Sequence, residues 1–304
     1  MSAGEDGIVV TGASHVVLGG RHGEPSCDPI PYLRVRKSRK FMGIQDDLAV
    51  VAAGRALARA GLPHQPKGPG LGERAGLYVS VGYIPFDESE VERVLAGSIG
   101  DDGEFSMARF SSDGMQRAHP LLTFRCLPNM PAYHVSVNYD VQGPYVVTYP
   151  GVAQFYLALE EARAAIEHDA IDVALICGVA HQRNFLVTHH FQRIDEPVAP
   201  ALLCDVGGCL VIERETHARA RGARIDARLI ELDVQYAPRP LEAPHPHRED
   251  FDVPSRRDVH RFGSLGPASL AIALASEVEL AGVVRHRLEA RDGVRATSTW
   301  ELLP

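Results

Sequence analysis

The sequence lacks a surplus of basic residues. Its 304 residues contain 31 Lys and Arg against 39 Asp and Glu, which gives a formal net charge of −8 and an isoelectric point near 6.0. Binding to a nucleic acid depends on positive charge that neutralises phosphates, so this balance argues against a nucleic-acid partner. We therefore look for a protein or small-molecule partner instead.

Cysteine is also scarce and irregularly spaced. The five cysteines are an odd number and form no CxxC pair: Cys27, Cys126, Cys177, Cys204 and Cys209. This spacing argues against a disulfide framework and against a structural zinc site. Since Cys177 and Cys209 lie in apolar runs, we predict that both are small buried residues.

Long apolar runs are missing as well. No stretch approaches the roughly 18 consecutive apolar residues of a membrane helix. The acidic start, MSAGEDG, is unlike the basic start of a signal peptide. The sequence therefore predicts a cytoplasmic protein that has no membrane partner.

The sequence is rich in short β-branched runs that alternate with helical ones. This alternation is typical of βαβ units and predicts an α/β fold with a largely parallel, buried sheet. The predicted strands are 8–11, 77–81, 135–137, 145–149, 172–178, 209–212 and 297–303, and the predicted helices are 45–60, 152–166, 213–221 and 268–281. A surface excursion is expected over 85–119, and a long Pro- and His-rich loop over 237–254.

The helix at 152–166 has the clearest pattern. Its apolar residues recur at intervals of three and four: Val152, Phe155, Leu159, Ala162 and Ile166. Charged residues occupy the other positions, so one face of this helix must be buried.

Four segments, in this order, resemble the β-ketoacyl synthases. Lys40–Gly61 is similar to the first helix of that family, and Asn129–Pro144 to the segment that ends in Gly-Pro before the active-site strand. Ala170–Val179 resembles the strand that follows the nucleophile helix. Cys204–Glu213 resembles the family's Gly-rich strand.

The resemblance implies a thiolase-like fold with αβαβα layers, built from two similar halves. We expect an intact ketosynthase-like N-terminal half at 1–215 and a shortened C-terminal half at 216–304. It also implies a dimer in which the strand Tyr145–Tyr149 pairs across a two-fold axis. In the family, a Cys at the N-terminus of the buried helix accepts an acyl chain from an acyl carrier protein, and two His promote the condensation with a malonyl unit.

The chain departs from this pattern at each catalytic position. Counting from Gly143-Pro144 forward and from Asp172 backward places the family's Cys at Val152, which has no nucleophile. Gly263 stands where the second His is expected, and no His-Gly-Thr segment supplies the first. The segment 195–203 also lacks the Arg-Asp-Gly-Phe of the family's gate loop. The resemblance therefore predicts no catalytic residue.

Several residues admit two interpretations. Gln154 is two positions late on the helix for a Gln that replaces the nucleophile, so it faces about 200° away. Leu122, Phe124 and Met130 are either core residues or, by resemblance, part of an acyl tunnel beside the interface strand with Tyr145, Val147, Tyr149 and Val152. The histidines His189, His190, His245, His247 and His260 are predicted to bind no metal, because nothing in the Pro-rich setting fixes ligand geometry.

Three functions follow as hypotheses. The first is a non-catalytic partner subunit, similar to a chain length factor, that pairs with an active β-ketoacyl synthase and interacts with an acyl carrier protein in polyketide, polyene or fatty acid biosynthesis. The second is a homodimeric acyl-binding or scaffold protein. The third is an acyltransferase or thioesterase that uses Cys204 or Cys209 with a His or Asp within reach. None of them calls for a cofactor.

Overall fold

The computed structural model describes residues 6–19, 23–24, 26–193, 199–237, 247–262 and 264–303. The strands are β1 Ile8–Gly19, β2 Ala75–Val81, β3 Tyr145–Thr148, β4 Val173–Ala180, β5 Cys204–Arg214, β6 Ala227–Tyr236, β7 Arg248–Asp252, β8 Gly282–Glu289 and β9 Val294–Leu302. The α-helices are α1 Ile44–Arg59, α2 Glu88–Ala96, α3 Met107–Arg109, α4 Leu122–Cys126, α5 Met130–Tyr139, α6 Gln154–Glu167, α7 Phe185–Gln192, α8 Glu215–Ala220 and α9 Ser269–Glu277.

The nine strands lie in the order β3-β2-β4-β5-β1-β6-β9-β8-β7. Strands β3 and β4 both run parallel to β2, whereas β5 is antiparallel to β4 and to β1. Strands β6 to β9 are joined by antiparallel pairing, and only Val9↔Arg228 and Val10↔Ala227 connect them to β1. The prediction of a largely parallel sheet is therefore wrong, because the helical crossovers that parallel strands need occur only around β2, β3 and β4.

Helices α1 and α5 cover one face of strands β1 to β5. The carboxylate of Asp46 accepts a 2.7 Å hydrogen bond from the backbone N–H of Gly43 and so caps the start of α1. Helix α1 then lies very close to β1, since a Cβ at Gly12 would come within 2.2 Å of the Ala56 carbonyl oxygen. Glycine at position 12 is what permits this contact.

The opposite face of the same strands is covered by α6 and α9. Helix α9 is apolar around most of its surface, and Leu270–Leu274 are all buried. Strands β8 and β9 pack on the far side of these two helices and contribute Val284 and Trp300 to the same core. Both helices therefore lie between two layers of β-strands.

The outer face of strands β6 to β9 carries charge. Along β8, Val284, His286 and Leu288 are buried, whereas Arg285 and Arg287 between them are exposed. This alternation is typical of an antiparallel sheet with one face in water. Within the described ranges, no helix packs on that face. The described residues therefore form αβαβ layers, one helical layer fewer than the αβαβα arrangement that the resemblance implies.

The structure corrects several sequence predictions. The segment 135–137 belongs to helix α5, not to a strand, because Val135 and Tyr139 bury one helical face against the core. Part of the predicted loop at 237–254 forms β7, while residues 238–246 of that loop lie outside the described residues. Strands β6 and β8 were not predicted. The domain boundary near residue 215 remains a prediction.

The other predicted elements are confirmed, although β1 extends eight residues beyond the predicted strand 8–11 and β5 begins five residues before the predicted strand 209–212. The excursion at 85–119 contains short helices, but Gly97, Ser98 and Gly114 are its only buried residues. None of the helices in the described residues is both long and apolar enough to cross a membrane.

Candidate functional site

A cavity of about 220 Å³ lies where the three parallel strands end. The chain leaves β2 at Tyr83, β3 at Pro150 and β4 at Gln182, and residues from all three exits line this cavity. The carboxyl ends of parallel strands are a common place for ligand sites in α/β proteins. This end of the sheet is therefore the candidate site.

Val152 lines the cavity at the N-terminal end of α6. Its side chain is partly exposed and packs against the inner core, and its carbonyl oxygen accepts a 3.3 Å hydrogen bond from the backbone N–H of Phe155. Gly151 precedes it with φ of 126°, a conformation that favours glycine. Val152 thus lies just before the N-cap residue Ala153 of the buried helix α6, and its isopropyl group can neither attack a thioester nor transfer a proton.

His190 and Tyr83 bring acid–base chemistry to the same cavity. The hydroxyl of Tyr83 lies 3.1 Å from Nε2 of His190, and the two rings are in contact with centroids 4.8 Å apart. Partial burial and the nearby Arg291 lower the pKa of His190. His190 is therefore a neutral imidazole near pH 7, and its Nε2 is engaged by Tyr83.

Gln182 and Ser264 hold the wall between β4 and α9. The Gln182 amide donates to the carbonyl oxygens of Cys204 at 2.9 Å and Ser264 at 2.8 Å, and the Ser264 hydroxyl donates to Gln182 Oε1 at 3.2 Å. These hydrogen bonds occupy the polar groups of Gln182 and Ser264 and stabilise the wall of the cavity. Gly263, the residue at the expected His position, lies outside the described residues.

Behind the cavity, three histidines surround the carboxylate of Glu249. His286 Nε2 lies 3.0 Å from Glu249 Oε1, although the two groups are not aligned as a hydrogen bond. His260 and His247 approach the other oxygen to 3.7 and 4.0 Å. Burial by itself would raise the pKa of Glu249, but the imidazoles of His286 and His260 overcome that effect and hold it at about 2.

This cluster continues into the helix that begins at the cavity. His286 Nδ1 lies 2.7 Å from the hydroxyl of Tyr156, which lies 2.8 Å from the hydroxyl of Ser298, and Phe251 stacks on the His286 ring. His247, in the predicted Pro- and His-rich loop, precedes β7, lies beside Glu249 and lines the cavity; His245 is outside the described residues. In the part of the chain that the structure describes, no three potential ligands are arranged to hold a metal ion.

The predicted interface residues fall on two sets of elements. Tyr145 and Val147 lie on β3, which is an edge strand of the sheet, and Tyr149 follows it. Tyr145 is 70% exposed and Tyr149 is 38% exposed, whereas Val147 packs partly against the core. The edge strand therefore presents aromatic side chains and unpaired backbone groups to solvent.

The other set lies on α4 and α5. Phe124 is exposed and its ring contacts Phe41 edge to face at 5.8 Å, Leu122 is partly buried, and Met130 belongs to the core. Sequence reasoning missed Tyr133 and Val137, which are exposed and spaced four residues apart on α5. That spacing places both on one helix face and was visible in the sequence.

The cysteines proposed as relocated nucleophiles are buried. Burial and the neighbouring Asp205 raise the pKa of Cys204 to about 11. Because successive strand residues point to opposite faces, Asp205 and its partner His181, 2.8 Å away, lie on the other side of the sheet from Cys204. Cys209 is fully buried 3.3 Å from Cys177, and burial raises its pKa as well. Burial therefore favours the protonated thiol, which is a poor nucleophile, at both positions.

The layered sheets, the buried helix that begins just after Val152 and the cavity at the strand ends define a protein of thiolase-like fold. Residues 17–204 match the family model for the β-ketoacyl synthase N-terminal domain. The chain belongs to the β-ketoacyl synthase family.

Solved structures of ketosynthases share this fold. One is a β-ketoacyl synthase from Burkholderia phymatum STM815 (TM-score 0.69, 16% identity), and another is the ishigamide ketosynthase/chain length factor (TM-score 0.69, 15% identity). A third is a type II polyketide synthase acyl carrier protein in complex with its ketosynthase (TM-score 0.68, 14% identity). Each alignment covers 98% of this chain and 100% of the other. A search of curated protein sequences gave no significant match.

Proposed function

We propose that this chain is a non-catalytic ketosynthase-like subunit, similar to a chain length factor, that pairs with an active β-ketoacyl synthase. The observation that carries the proposal is the position of Val152. It lies just before the start of the buried helix α6 and lines the cavity, and its side chain offers only carbon atoms where the resemblance to the family expects the nucleophile. Because the family's chemistry requires a thiolate there, a partner must supply it.

The edge strand β3 supports a role in assembly. Tyr145 and Tyr149 are exposed beside a row of unpaired backbone groups, and proteins normally protect such an edge. Pairing with the matching strand of a ketosynthase would cover it. The likeness in fold to the ishigamide ketosynthase/chain length factor is consistent with this arrangement.

The proposed partner, an active β-ketoacyl synthase, also indicates the biosynthetic pathway. An active β-ketoacyl synthase receives its chain from an acyl carrier protein, and one of the similar structures is such a complex. We therefore propose an acyl carrier protein as the second partner and polyketide, polyene or fatty acid biosynthesis as the setting. The cavity at Val152 would then form part of the wall beside the growing acyl chain.

A homodimeric acyl-binding or scaffold protein is the second candidate. The same exposed edge strand would serve two identical chains, and the cavity does not depend on a catalytic partner. A relocated cysteine enzyme is not favoured, because Cys204 and Cys209 are buried and burial raises the pKa of both thiols.

Co-expression with a β-ketoacyl synthase of the same organism separates the first two candidates. Under the proposal, size-exclusion chromatography with light scattering gives a one-to-one heterodimer, and elongation of a carrier-bound chain requires both subunits. A stable homodimer that ignores the ketosynthase would overturn the proposal in favour of the scaffold.

A further inference from the structure

The cavity at Val152 has walls made largely of carbon atoms. Its apolar side chains come from four residues: Pro150, Val152, Phe191 and Ala290. At the roughly 30 Å³ that a water molecule occupies in the liquid, a volume of about 220 Å³ holds roughly seven non-hydrogen atoms. Walls of this kind favour a short alkyl chain.

Most polar groups on these walls are occupied by hydrogen bonds within the chain. The hydroxyl of Tyr83 lies 3.1 Å from Nε2 of His190. The Gln182 amide donates to the carbonyl oxygen of Ser264, and the Ser264 hydroxyl donates back to Gln182 Oε1. These groups therefore add little to the binding of a polar ligand.

Arg291 lines the same cavity and differs from these groups, because its guanidinium forms no ion pair or hydrogen bond with any described residue. It follows Ala290 in the tight turn between β8 and β9, where the Ala290 carbonyl oxygen accepts a 3.0 Å hydrogen bond from the backbone N–H of Gly293. Its charge acts on both rings of the cavity wall. Burial and then Arg291 lower the pKa of His190, and Arg291 opposes the rise in pKa that burial gives Tyr83.

The neighbouring carboxylate of Asp292 is bound to other groups. Asp292 Oδ2 accepts a 3.1 Å hydrogen bond from the Gln154 side chain, and its Oδ1 accepts a 3.2 Å hydrogen bond from the backbone N–H of Val294. These bonds connect the turn to the start of α6. Asp292 is also exposed, so water and salt screen its charge. The cavity therefore combines carbon walls with one unpaired guanidinium.

We infer that this cavity binds a short aliphatic carboxylate, whose alkyl chain lies against Val152 and whose carboxylate is held by the Arg291 guanidinium. A guanidinium keeps its charge at any physiological pH and offers parallel N–H donors that match the two oxygens of a carboxylate. The source of the ligand follows from the proposed function, on which this part of the inference rests. It is either a free fatty acid or an acyl chain whose far end is a carboxylate.

The test is a ligand series on the full-length wild-type chain, measured by ligand-observed NMR titration at about pH 7, where a carboxylate is ionised. From acetate through propanoate and butanoate to pentanoate, affinity should rise about fourfold for each added methylene that enters the cavity. A Kd of about 1 mM is expected for pentanoate. Pentanamide, which has the same shape but no charge, should bind about tenfold more weakly.

Three outcomes of this series would each overturn the inference. Equal affinity along the series would mean that the anions pair with surface charge and do not enter the cavity. Equal affinity of pentanoate and pentanamide would mean that the guanidinium is not used. The third is the absence of measurable binding of pentanoate.

Variants locate the binding at the proposed residues. Arg291→Gln should reduce the affinity for pentanoate to that for pentanamide and leave pentanamide binding unchanged, which a misfolded chain would not do. Arg287→Gln is the matched control, because Arg287 is exposed on β8 and lies outside the cavity lining. Val152→Phe places a ring in the cavity and should weaken the binding of both ligands. An undiminished preference for pentanoate in Arg291→Gln would overturn the assignment.

Elongation by the complex with a ketosynthase identifies the source of the carboxylate. Carrier proteins loaded with adipyl and hexanoyl chains are compared as starters, since only the adipyl chain ends in a carboxylate. A preference for adipyl that Arg291→Gln removes supports the site and assigns it to an acyl chain. Equal use of both, with pentanoate binding intact, supports the site and assigns it to a free acid. Failure of the proposed pairing would leave pentanoate binding intact, and loss of pentanoate binding would leave the pairing intact.

Discussion

The backbone N–H of Phe155 donates a 3.3 Å hydrogen bond to the carbonyl oxygen of Val152. Val152 lies two residues before the first residue of α6, beside the positive end of the helix dipole, which would stabilise a thiolate. The isopropyl group of Val152 carries no charge that the helix dipole could stabilise. The helix end and the cavity are present, and under the proposed function the partner supplies the reactive atom.

Val152→Cys is expected to create a reactive thiol that does not restore condensation. The position is partly exposed and lines the cavity, so iodoacetamide should label it faster than Cys204, whose pKa burial raises to about 11. Elongation should stay at background, because His190 is engaged by Tyr83 and His247 lies against Glu249. Mass spectrometry of the labelled chain and a malonyl-dependent elongation assay check the two statements.

The wild-type chain, which has no Cys at position 152, is the control for the labelling experiment. Labelling of Val152→Cys no faster than that of the wild-type chain would mean that position 152 is closed to solvent. Malonyl-dependent elongation by the variant alone would show that the interpretation of the C-terminal half, including the loss of both histidines, is wrong.

Tyr145→Glu should break the proposed pairing through β3. Tyr145 is 70% exposed on the edge strand, so a carboxylate there costs the isolated chain little but would be buried without a partner in a dimer. Light scattering is expected to show that the variant is a monomer. Thermal unfolding is expected to show an unchanged Tm. Tyr236→Glu is the matched control, because Tyr236 is 69% exposed at the end of β6. A dimer that survives Tyr145→Glu would exclude β3 as its interface.

Glu249→Gln should reduce stability in a pH-dependent way. The pKa of Glu249 is lowered to about 2, from 4.5, so its stabilising contribution is complete above about pH 5 and is lost as pH falls toward 2. The difference in unfolding free energy between wild type and variant should therefore shrink by about 3 kcal/mol over that range. Urea unfolding at a series of pH values measures it.

Glu167→Gln supplies the comparison for this effect. Glu167 pairs with Arg163 on the surface of α6, and such a pair contributes about 0.5 kcal/mol or less. A pH-independent difference for Glu249→Gln would mean that the histidines do not hold the carboxylate ionised.

Gly178→Ala should destabilise the contact between β4 and the start of α9. A Cβ at Gly178 would lie 2.1 Å from the carbonyl oxygen of Pro267, so the turn must move, at a cost of about 1–3 kcal/mol. Gly68→Ala adds a methyl group whose nearest neighbours are 3.4 Å and 3.5 Å away, and it should leave stability unchanged or raise it by up to about 1 kcal/mol. Equal effects of the two substitutions would contradict the close packing of α9 on the sheet.

The sequence predicted those helices and strands whose apolar pattern is contained within one continuous segment. Helices α1 and α6 repeat apolar residues at helical intervals over four turns, and β4 is an uninterrupted apolar run, so all three were identified close to their bounds. Helix α5 was mistaken for a strand because Val135 and Val137 flank a serine in the alternation of a strand. Only its packing against α1 shows that Val135 is buried and Val137 is exposed.

The site was predictable at Val152 and not beyond it. The position of Val152 follows from counting along one continuous segment, whereas Glu249, His286 and Tyr156 come from three separate elements. Their contact depends on how β7, β8 and α6 assemble, and charged residues weaken the apolar pattern of β6 and β8. Tyr83 and Gln182 follow the carboxyl ends of parallel strands, so knowledge of the strand order would have predicted both as site residues.

The most direct test of the account measures elongation by the purified chain alone. The chain is supplied with an acylated carrier protein and malonyl-loaded carrier protein, and the product is detected by mass spectrometry, with and without an active β-ketoacyl synthase. The account predicts no elongated product from the chain alone and product only when the ketosynthase is present. Malonyl-dependent elongation by the chain alone would contradict it.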